Sequence, residues 1–336
     1  MHVTIIGGGP VGALLAVLLS RRGHTVDVYE ARPDPRITPL PGGRSINLTL
    51  AERGWRALRA AGVEQEVRAL TMPLRGRMIH AEDGELRFQP YSPKGDAIYS
   101  ASRNEVTKKL LDLAEANPRV TLRFGHRCLD VDVDRRTISV GSPDGRRVEV
   151  RPDHVLAADG AFSAVRRALL RRPYFKLYQR LSPISYRELR VPPRNGSESP
   201  FSDDALHLWP RGDGLIVGFP NRDKSFTISV FMPTQGPHSF AGLSDSTKLE
   251  EFFRSSCGDL YGGVSELAYS FFNGAPAPLL SSGCSPWVHD GGLGLIGDAA
   301  HTVVPFLGQG LNAGFEDCEV FIESLDESGD DWQATL

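Results

Sequence analysis

Apolar residues follow two different patterns along the chain, and each pattern predicts a different kind of sheet. Towards both ends, short unbroken apolar runs alternate with helix-length segments, as in residues 3–6, 154–158 and 292–296. Such runs are typical of parallel strands that are buried on both faces. Between residues 174 and 286 the pattern alternates with period 2, which predicts antiparallel strands. The sequence therefore predicts an α/β protein, with a Rossmann-like parallel sheet, helices on both its faces, and an inserted antiparallel β-sheet domain.

The positions where the pattern changes predict the domain boundaries. Arg75 to Ala81 and Glu85 to Gln89 flank an Asp-Gly turn, which indicates a hairpin that leaves the first domain early. Residues 120–124, 128–133 and 137–140 predict a small antiparallel group beside the parallel sheet. We predict a discontinuous cofactor-binding domain of residues 1–72, 98–175 and 286–325, which contains the parallel sheet, a substrate domain of residues 73–97 and 176–285, and a C-terminal tail of residues 326–336.

Composition narrows the class of protein. The 336 residues are 40% hydrophobic and 24% charged, which is typical of a globular protein. A net charge of −3 gives no electrostatic reason to expect nucleic acid or an anionic membrane as a partner. The four cysteines form no C-x-x-C pair, which indicates free thiols and no metal site. Since the first strand begins near residue 3 and no apolar run approaches the ~20 residues that span a bilayer, we expect a cytoplasmic protein.

A glycine turn after the first strand is the first motif that indicates chemistry. Gly7, Gly9 and Gly12 fit the pattern G-x-G-x-x-G, which permits a tight turn, close approach to a pyrophosphate and a helix N-terminus aimed at the phosphates. Glu30 ends the next predicted strand, where a carboxylate can accept a hydrogen bond from a ribose hydroxyl. The motif predicts a dinucleotide site, and a glycine-rich turn without a nucleotide is the alternative.

Two further glycine breaks follow buried strands, at Asp159-Gly160 and at residues 297–301. Ligands of doubly wound sheets lie beyond the carboxyl ends of the strands, so three such breaks predict one long ligand. Asp298 would accept hydrogen bonds from ribitol or ribose hydroxyls. A dehydrogenase with NAD alone would leave the second and third breaks unexplained. His301 is either a base or a structural hydrogen-bonding residue.

These motifs together resemble the single-component FAD-dependent aromatic hydroxylases. The broad resemblance lies in the glycine turn, in ADGAFSAVR (158–166) and in GDAAHTVVPFLGQGLNAGFED (297–317). A narrower resemblance, to the members that hydroxylate kynurenine, lies in RSINLTLAERG (44–54), RGRMIH (75–80), SASR (100–103), ALHLWP (205–210) and PNRDKSFTISVFMP (220–233). The resemblance implies tightly bound FAD, NADPH as co-substrate, and transfer of one oxygen atom from O2 to L-kynurenine or a ring-substituted kynurenine, which gives the 3-hydroxy product.

The resemblance also implies roles for individual residues. It implies that Arg77 and Tyr91 bind the substrate α-carboxylate, whereas the strand pattern alone would also allow Arg77 to face solvent. It places Leu215, Val217, Phe219 and Phe231 in the apolar pocket, although Phe219 and Phe231 could equally be core residues. It places Pro305, Phe306 and Gln309 beside the flavin, and assigns FAD contacts to Arg44, Arg103, Asp159, Asp298, Gly308, Gly310, Leu311 and Asn312.

Two alternatives to kynurenine hydroxylation stay open. The first is an FAD hydroxylase of another carboxylate-bearing aminoaromatic or phenol in secondary metabolism. The second is a non-catalytic FAD-binding fragment, because the resemblance implies further helices after the flavin helix. One of those helices carries an Asn-Tyr-x-Glu-Met element that residues 326–336 do not match. The sequence leaves the oligomeric state and the NADPH site open.

Overall fold

A computed structural model of the chain describes residues 1–38, 47–258 and 264–336. In chain order the strands of the described residues are β1 (His2–Ile6), β2 (Thr25–Glu30), β3 (Asn47–Leu50), β4 (Met72–Leu74), β5 (Gly76–His80), β6 (Leu86–Pro90), β7 (Ile98–Ser102), β8 (Val120–Phe124), β9 (Arg127–Asp132), β10 (Thr137–Gly141), β11 (Arg147–Val150), β12 (His154–Ala157), β13 (Lys176–Val191), β14 (Ala205–Arg211), β15 (Gly214–Pro220), β16 (Phe226–Pro233), β17 (Ala277–Ser285), β18 (Val288–His289), β19 (Leu293–Leu295) and β20 (His301–Thr302).

The helices of the same residues are α1 (Pro10–Arg21), α2 (Glu52–Ala60), α3 (Glu64–Arg68), α4 (Arg103–Glu115), α5 (Ala164–Leu169), α6 (Ser246–Ser256), α7 (Val264–Phe272), α8 (Gly310–Glu327) and α9 (Trp332–Thr335). Short 3-10 turns span Gly297–Ala299 and Pro305–Leu307. Within this described part of the chain, no helix combines the length and the apolar character needed to cross a membrane.

A six-stranded sheet in the order β18-β19-β12-β1-β2-β8 forms the first layer. Its strands pair in parallel from β19 through to β8, which confirms the predicted Rossmann-like sheet. The helix α1 begins at Pro10 and is apolar around almost its whole circumference. A helix that is apolar on all sides is stable here because α1 is buried, and it lies against α4 and α8 as well as against β2.

An eight-stranded sheet in the order β20-β17-β13-β16-β15-β14-β5-β6 forms the second layer. Its pairs are antiparallel except β5 with β14, which run in parallel. The alternating pattern of the strands gives this sheet two different faces. One face packs with α6 and α7 around residues such as Trp209 and Phe253, and the other carries Phe231 and Val217, which pack against Phe306 of the loop after β20.

The prediction for residues 120–124 is wrong, since β8 pairs in parallel with β2 at the edge of the first sheet. The small antiparallel group consists instead of β11, β10 and β9. A second three-stranded group, β3-β7-β4, is not apparent from the sequence pattern. The helix α5 begins at Ala164, because the Ser163 side chain accepts a hydrogen bond from the Arg166 amide and caps the helix there.

The division into domains stays a prediction, and one short strand bears on it. The strand β20 belongs to a segment that we assign to the FAD-binding domain, yet it pairs with β17 of the eight-stranded sheet. Ser282 lies opposite Thr302, and Gly283 lies opposite His301. The last helix, α9, packs Trp332 into the core beneath the first sheet, where that side chain is 2% exposed.

Candidate active site

The three glycines of the first turn have three different surroundings. Gly7 has φ +107°, and a Cβ atom there would lie 2.3 Å from the Ala158 carbonyl oxygen. A Cβ at Gly12 would lie 1.9 Å from the carbonyl oxygen of Gly7. These two glycines therefore hold strand, turn and helix together. A Cβ at Gly9 would meet no described atom within 4 Å, so the space at the N-terminus of α1 is open to a ligand.

Glu30 lies beside this turn, at the end of β2. Its Oε2 atom accepts a hydrogen bond of 2.8 Å from the Gly8 amide, and its Oε1 accepts one of 2.9 Å from the Arg32 amide. Burial by itself raises the pKa of Glu30, but the hydrogen bonds from Arg32 and Gly8 outweigh it and hold that pKa below its ordinary value. The side chain is ionised and fixed, as a hydrogen-bond acceptor for a ribose hydroxyl must be.

Two aspartates follow the other glycine breaks. Asp159 accepts a hydrogen bond of 2.7 Å from the Ala164 amide through Oδ2, while its buried Oδ1 has no hydrogen-bond partner among the described residues. Asp298 lies in the 3-10 turn after β19, and burial raises its pKa, opposed chiefly by the charge of Arg103. Its carboxylate makes no hydrogen bond to any described residue. Both carboxylates are therefore positioned to accept hydrogen bonds from a ligand.

The segment after β20 is tied to β3 by its side chains. Gly308 has φ +62°, and a Cβ there would lie 2.3 Å from Thr49 Oγ1. Asn312 is completely buried, accepts a hydrogen bond of 2.8 Å from the Ala51 amide and donates one of 2.7 Å to the Thr49 carbonyl. An Asn312 contact to a cofactor would therefore have to come from its backbone.

The remaining residues of this loop differ in how free their side chains are. Gln309 accepts a hydrogen bond of 2.9 Å from Arg53, and Leu311 is buried in the first core. Pro305 is exposed, and a Cβ at Gly310 would lie 3.9 Å from Asp298 Oδ1. Arg44, a predicted FAD contact, lies outside the described residues.

An FAD molecule fits the residues of this first layer. The open space at Gly9 lies where a pyrophosphate would approach, and the buried Oδ1 of Asp159 requires a hydrogen-bond donor. Asp298 lies at the end of another strand and offers free acceptors to hydroxyl groups. Arg103 is exposed at the first residue of α4, and its charge acts on the Asp298 carboxylate.

All four residues predicted for the apolar pocket lie in one cluster. Val217 and Phe231 are 3% and 5% exposed, and Leu215 and Phe219 pack against them. Phe306, from the loop after β20, joins the same cluster, with its ring centroid 5.1 Å from that of Phe231. The structure thus brings the predicted pocket residues and part of the predicted flavin loop together in one cluster.

Sequence reasoning missed Tyr186. It lies on β13 directly opposite Phe231, and the two rings stack with centroids 5.7 Å apart. The signal was present, since Ile184 and Tyr186 alternate on one face of a strand and both belong to the cluster. The other residues of this cluster that were not predicted are Leu206, Leu208, Leu279 and Val304.

Arg77 and Tyr91 lie together at the β5 side of this pocket. The Arg77 guanidinium carbon lies 5.2 Å from the centroid of the Tyr91 ring, and Arg77 is opposite Leu206 of the apolar cluster. The Tyr91 hydroxyl is buried and has no hydrogen-bond partner among the described residues. Burial raises the pKa of Tyr91, and the neighbouring Arg77 side chain partly opposes that rise. The hydroxyl therefore keeps its proton, and since Arg77 can only donate, that proton is available to an acceptor.

His301 has a structural partner. Its Nε2 atom lies 2.8 Å from Asp317 Oδ2, which also accepts a hydrogen bond of 2.7 Å from the Gly297 amide. The hydrogen bond to Asp317 raises the pKa of His301 above its ordinary value. This network holds the third glycine break against α8, in agreement with the structural alternative for His301.

A family model described as an FAD binding domain matches residues 1–183 and 265–328 of the chain. Proteins named kynurenine 3-monooxygenase match almost the whole chain. The protein from Flavobacterium johnsoniae is 40% identical over 99% of this chain and 74% of its own length. The protein from Sus scrofa is 39% identical over 99% of this chain and 70% of its own length.

Solved structures with a similar fold are named as oxygenases or monooxygenases. One is 2-methyl-3-hydroxypyridine-5-carboxylic acid oxygenase, with a TM-score of 0.80 and 20% identity over 100% of this chain and 84% of that chain. Another is PqsL from Pseudomonas aeruginosa, a probable FAD-dependent monooxygenase, with a TM-score of 0.78 and 24% identity over 98% of this chain and 88% of that chain. At these identities the likeness supports the fold.

Proposed function

This chain belongs to the kynurenine 3-monooxygenase family of FAD-dependent hydroxylases, and we propose that it hydroxylates L-kynurenine, or a ring-substituted kynurenine, to the 3-hydroxy product with NADPH and O2. The observation that carries the proposal is the buried Tyr91 hydroxyl, which has no acceptor for its proton among the described residues and lies beside the Arg77 guanidinium, next to the apolar cluster that contains Leu206. One end of this site suits a carboxylate and the other end suits an aromatic ring.

The end of the site formed by Arg77 and Tyr91 has the hydrogen-bond donors that a carboxylate needs. A guanidinium is always charged and can hold a carboxylate by two parallel hydrogen bonds. The Tyr91 hydroxyl adds a third donor, and it is the group that most needs an acceptor, because a buried unpaired polar group costs about 1–3 kcal/mol. The α-carboxylate in the amino-acid group of kynurenine supplies that acceptor.

The other end of the site has the apolar side chains against which an aromatic ring can pack. Val217, Phe231 and Phe306 belong to one apolar cluster, and a planar aniline ring can lie against this cluster while water is excluded. When bound, FAD supplies the redox chemistry that activates O2. The chain's own residues therefore bind the substrate at its carboxylate, orient its ring and keep the reaction out of water.

The proposal is tested with purified, FAD-loaded protein. We expect L-kynurenine to stimulate NADPH oxidation and to become one oxygen atom heavier, with the label of 18O2 in the product. Stimulation by 2-aminobenzoate but not by L-kynurenine would indicate a hydroxylase of another aminoaromatic acid. Retained FAD with no NADPH oxidation under any of these conditions would indicate a non-catalytic FAD-binding protein.

Arg77→Ala separates substrate binding from cofactor binding. We expect this variant to retain its flavin while the KM for L-kynurenine rises about 10- to 100-fold, since hydrogen bonds to a charged group contribute about 1.5–3 kcal/mol. The matched control is Arg87→Ala, on the neighbouring strand β6, where Arg87 is exposed and paired with Glu85. Loss of flavin from Arg77→Ala, or an equal effect of Arg87→Ala, would contradict the assignment.

A further inference from the structure

A groove with a volume of about 380 Å³, lined by both polar and apolar side chains, lies beside the candidate active site and has no role in the function proposed above. The start of α4 lines one side of the groove. The C-terminal end of β13 and the turn between β15 and β16 line the other side. The residues that line the two walls include Ser102, Lys108, Glu188, Arg190, Arg222 and Thr227.

The groove and the apolar pocket share one face of the eight-stranded sheet. On β13, Tyr186 belongs to the pocket, and Glu188 and Arg190, the next two residues on the same face, line the groove. Alternate residues of a strand are about 7 Å apart, so the groove begins one such step from the pocket. Thr227 of the groove is paired with Phe219 of the pocket on the neighbouring strand. The two sites are therefore continuous.

The groove is distinct from the site proposed for the substrate carboxylate. Arg77 lies on β5, whereas Arg190 lies on β13, with β14, β15 and β16 between them. Four steps between neighbouring strands of about 4.8 Å put roughly 19 Å between these two backbone positions. A ligand in the groove can therefore be bound together with a substrate held at Arg77.

The groove is also adjacent to the site that fits FAD. Arg103 lies between Ser102 and Asn104, which both line the groove. The charge of Arg103 acts on the Asp298 carboxylate and on Tyr186. Arg103 is thus near the groove, the cofactor side and the substrate pocket, and a redox partner in the groove would be close to a bound flavin.

The groove is lined by three basic side chains, Lys108, Arg190 and Arg222, and by three acidic ones, Glu105, Glu188 and Asp223. A phosphate would therefore have to contact Lys108 and Arg222 individually. Lys108 on α4 and Arg222 on the β15–β16 turn line opposite walls, and neither forms an ion pair with any residue in the described ranges. Arg190, in contrast, is paired with Asp223. The side chains of Asn221 and Thr227 on this wall already hydrogen-bond to each other, with Asn221 Nδ2 donating to Thr227 Oγ1 at 3.1 Å.

We propose that this groove docks NADPH, with Lys108 and Arg222 in contact with its phosphate oxygens and its nicotinamide end directed along β13 towards Tyr186. The inference rests on the proposed function, which requires a reductant beside FAD. It adds a docking site that the glycine turn cannot provide, since that turn is used by FAD.

The test measures equilibrium binding of NADP+ to the FAD-loaded protein by isothermal titration calorimetry at several salt concentrations. We expect Lys108→Ala with Arg222→Ala to raise the Kd of NADP+ about tenfold or more and to reduce its salt dependence, since two charge-assisted contacts are lost. Arg222→Glu, at an exposed turn position, should weaken binding further than Arg222→Ala. Flavin content and the KM for L-kynurenine should stay at the wild-type values.

The matched control removes the same charge elsewhere, as Lys109→Ala with Arg180→Ala. Lys109 is next to Lys108 on α4 but does not line the groove, and Arg180 is exposed on a distant part of β13. A Kd within about twofold of wild type for the groove variant, or an equal loss in the control, would overturn the proposal. Failure of the wild-type protein both to bind NADP+ and to oxidise NADPH with L-kynurenine would instead show that the proposed function is wrong.

Discussion

At the scale of single residues, the candidate site depends on atoms that the protein alone leaves unsatisfied. The Tyr91 hydroxyl and Oδ1 of Asp159 are buried without a hydrogen-bond partner among the described residues. Each such atom costs stability until a ligand pairs with it. The sequence could indicate the residue types, through the glycine breaks and the family resemblance. It could not indicate that these two atoms lack partners, because burial of a single oxygen depends on residues distant in the chain.

Tyr91→Phe tests directly whether the Tyr91 hydroxyl is left without an acceptor until the substrate binds. Because it removes a buried, unpaired hydroxyl, we expect the free energy of unfolding of the substrate-free protein to stay the same or rise slightly. The KM for L-kynurenine should rise about tenfold, since one hydrogen bond to a carboxylate is lost. Urea unfolding and steady-state kinetics check the two halves. A clear loss of stability would mean that the hydroxyl has a structural partner in the substrate-free protein.

Gly9→Ala tests the place of the pyrophosphate. A methyl group at Gly9 meets no described atom within 4 Å, and Gly9 has an ordinary φ of −70°. We therefore expect the apoprotein to unfold at the wild-type temperature while its affinity for FAD falls at least about tenfold, since the methyl group occupies ligand space. Gly7→Ala is the contrasting variant, because its Cβ would clash with Ala158 and destabilise the apoprotein as well. Normal FAD affinity in Gly9→Ala would contradict this position for the pyrophosphate.

At the scale of elements, the pattern of apolar residues predicts strand positions better than strand partners. The buried runs that become β1 and β12 could be placed in a parallel sheet because they are apolar on both faces. The run that becomes β8 could not be placed in the parallel sheet, since an edge strand is apolar on one side only. Its pattern resembles that of the antiparallel strands that follow it. Tyr186 was missed for a related reason. The pattern places it on a face of β13, but not opposite Phe231.

The contact of α9 with the first sheet predicts a dependence of stability on pH. His154, at the start of β12, stacks on Trp332 with centroids 4.2 Å apart, and His24 contacts the same ring edge-on. Burial lowers the pKa of both histidines from the ordinary value of 6.5. Below pH 6.5 the unfolded state therefore binds more protons than the folded state. Stability should fall as the pH falls from 6.5 through the lowered pKa values, and should be level above 6.5.

His24→Gln should reduce this slope, because one of the two histidines no longer takes up a proton on unfolding. The measurement is urea unfolding at about pH 7.5 and about pH 5.5, compared between wild type and variant. His238→Gln is the matched control, since His238 is exposed and its replacement should leave the slope unchanged. An unchanged slope in His24→Gln would show that His24 does not contribute to it.

At the scale of the whole molecule, the sequence predicts two sheets and a cofactor site at the end of one of them, and the comparisons confirm the fold class. What it could not predict is how the sheets face each other. The apolar cluster combines Phe231 from β16 with Phe306 from the loop between β20 and α8, and this contact joins positions far apart in the chain. Its geometry follows from the register of the eight-stranded sheet, which no local pattern determines.

The two-residue strand β20 has a consequence for the mobility of the backbone. Asp298, on the cofactor side, is only three residues from His301, which pairs with β17. A ligand that orders Asp298 should therefore suppress local opening at this sheet edge. We expect FAD to slow amide hydrogen exchange in β17 and β20, while amides of β6, at the opposite edge, exchange at the same rate with and without FAD. Equal slowing at both edges would mean that the cofactor stabilises the sheet as one unit and not through β20.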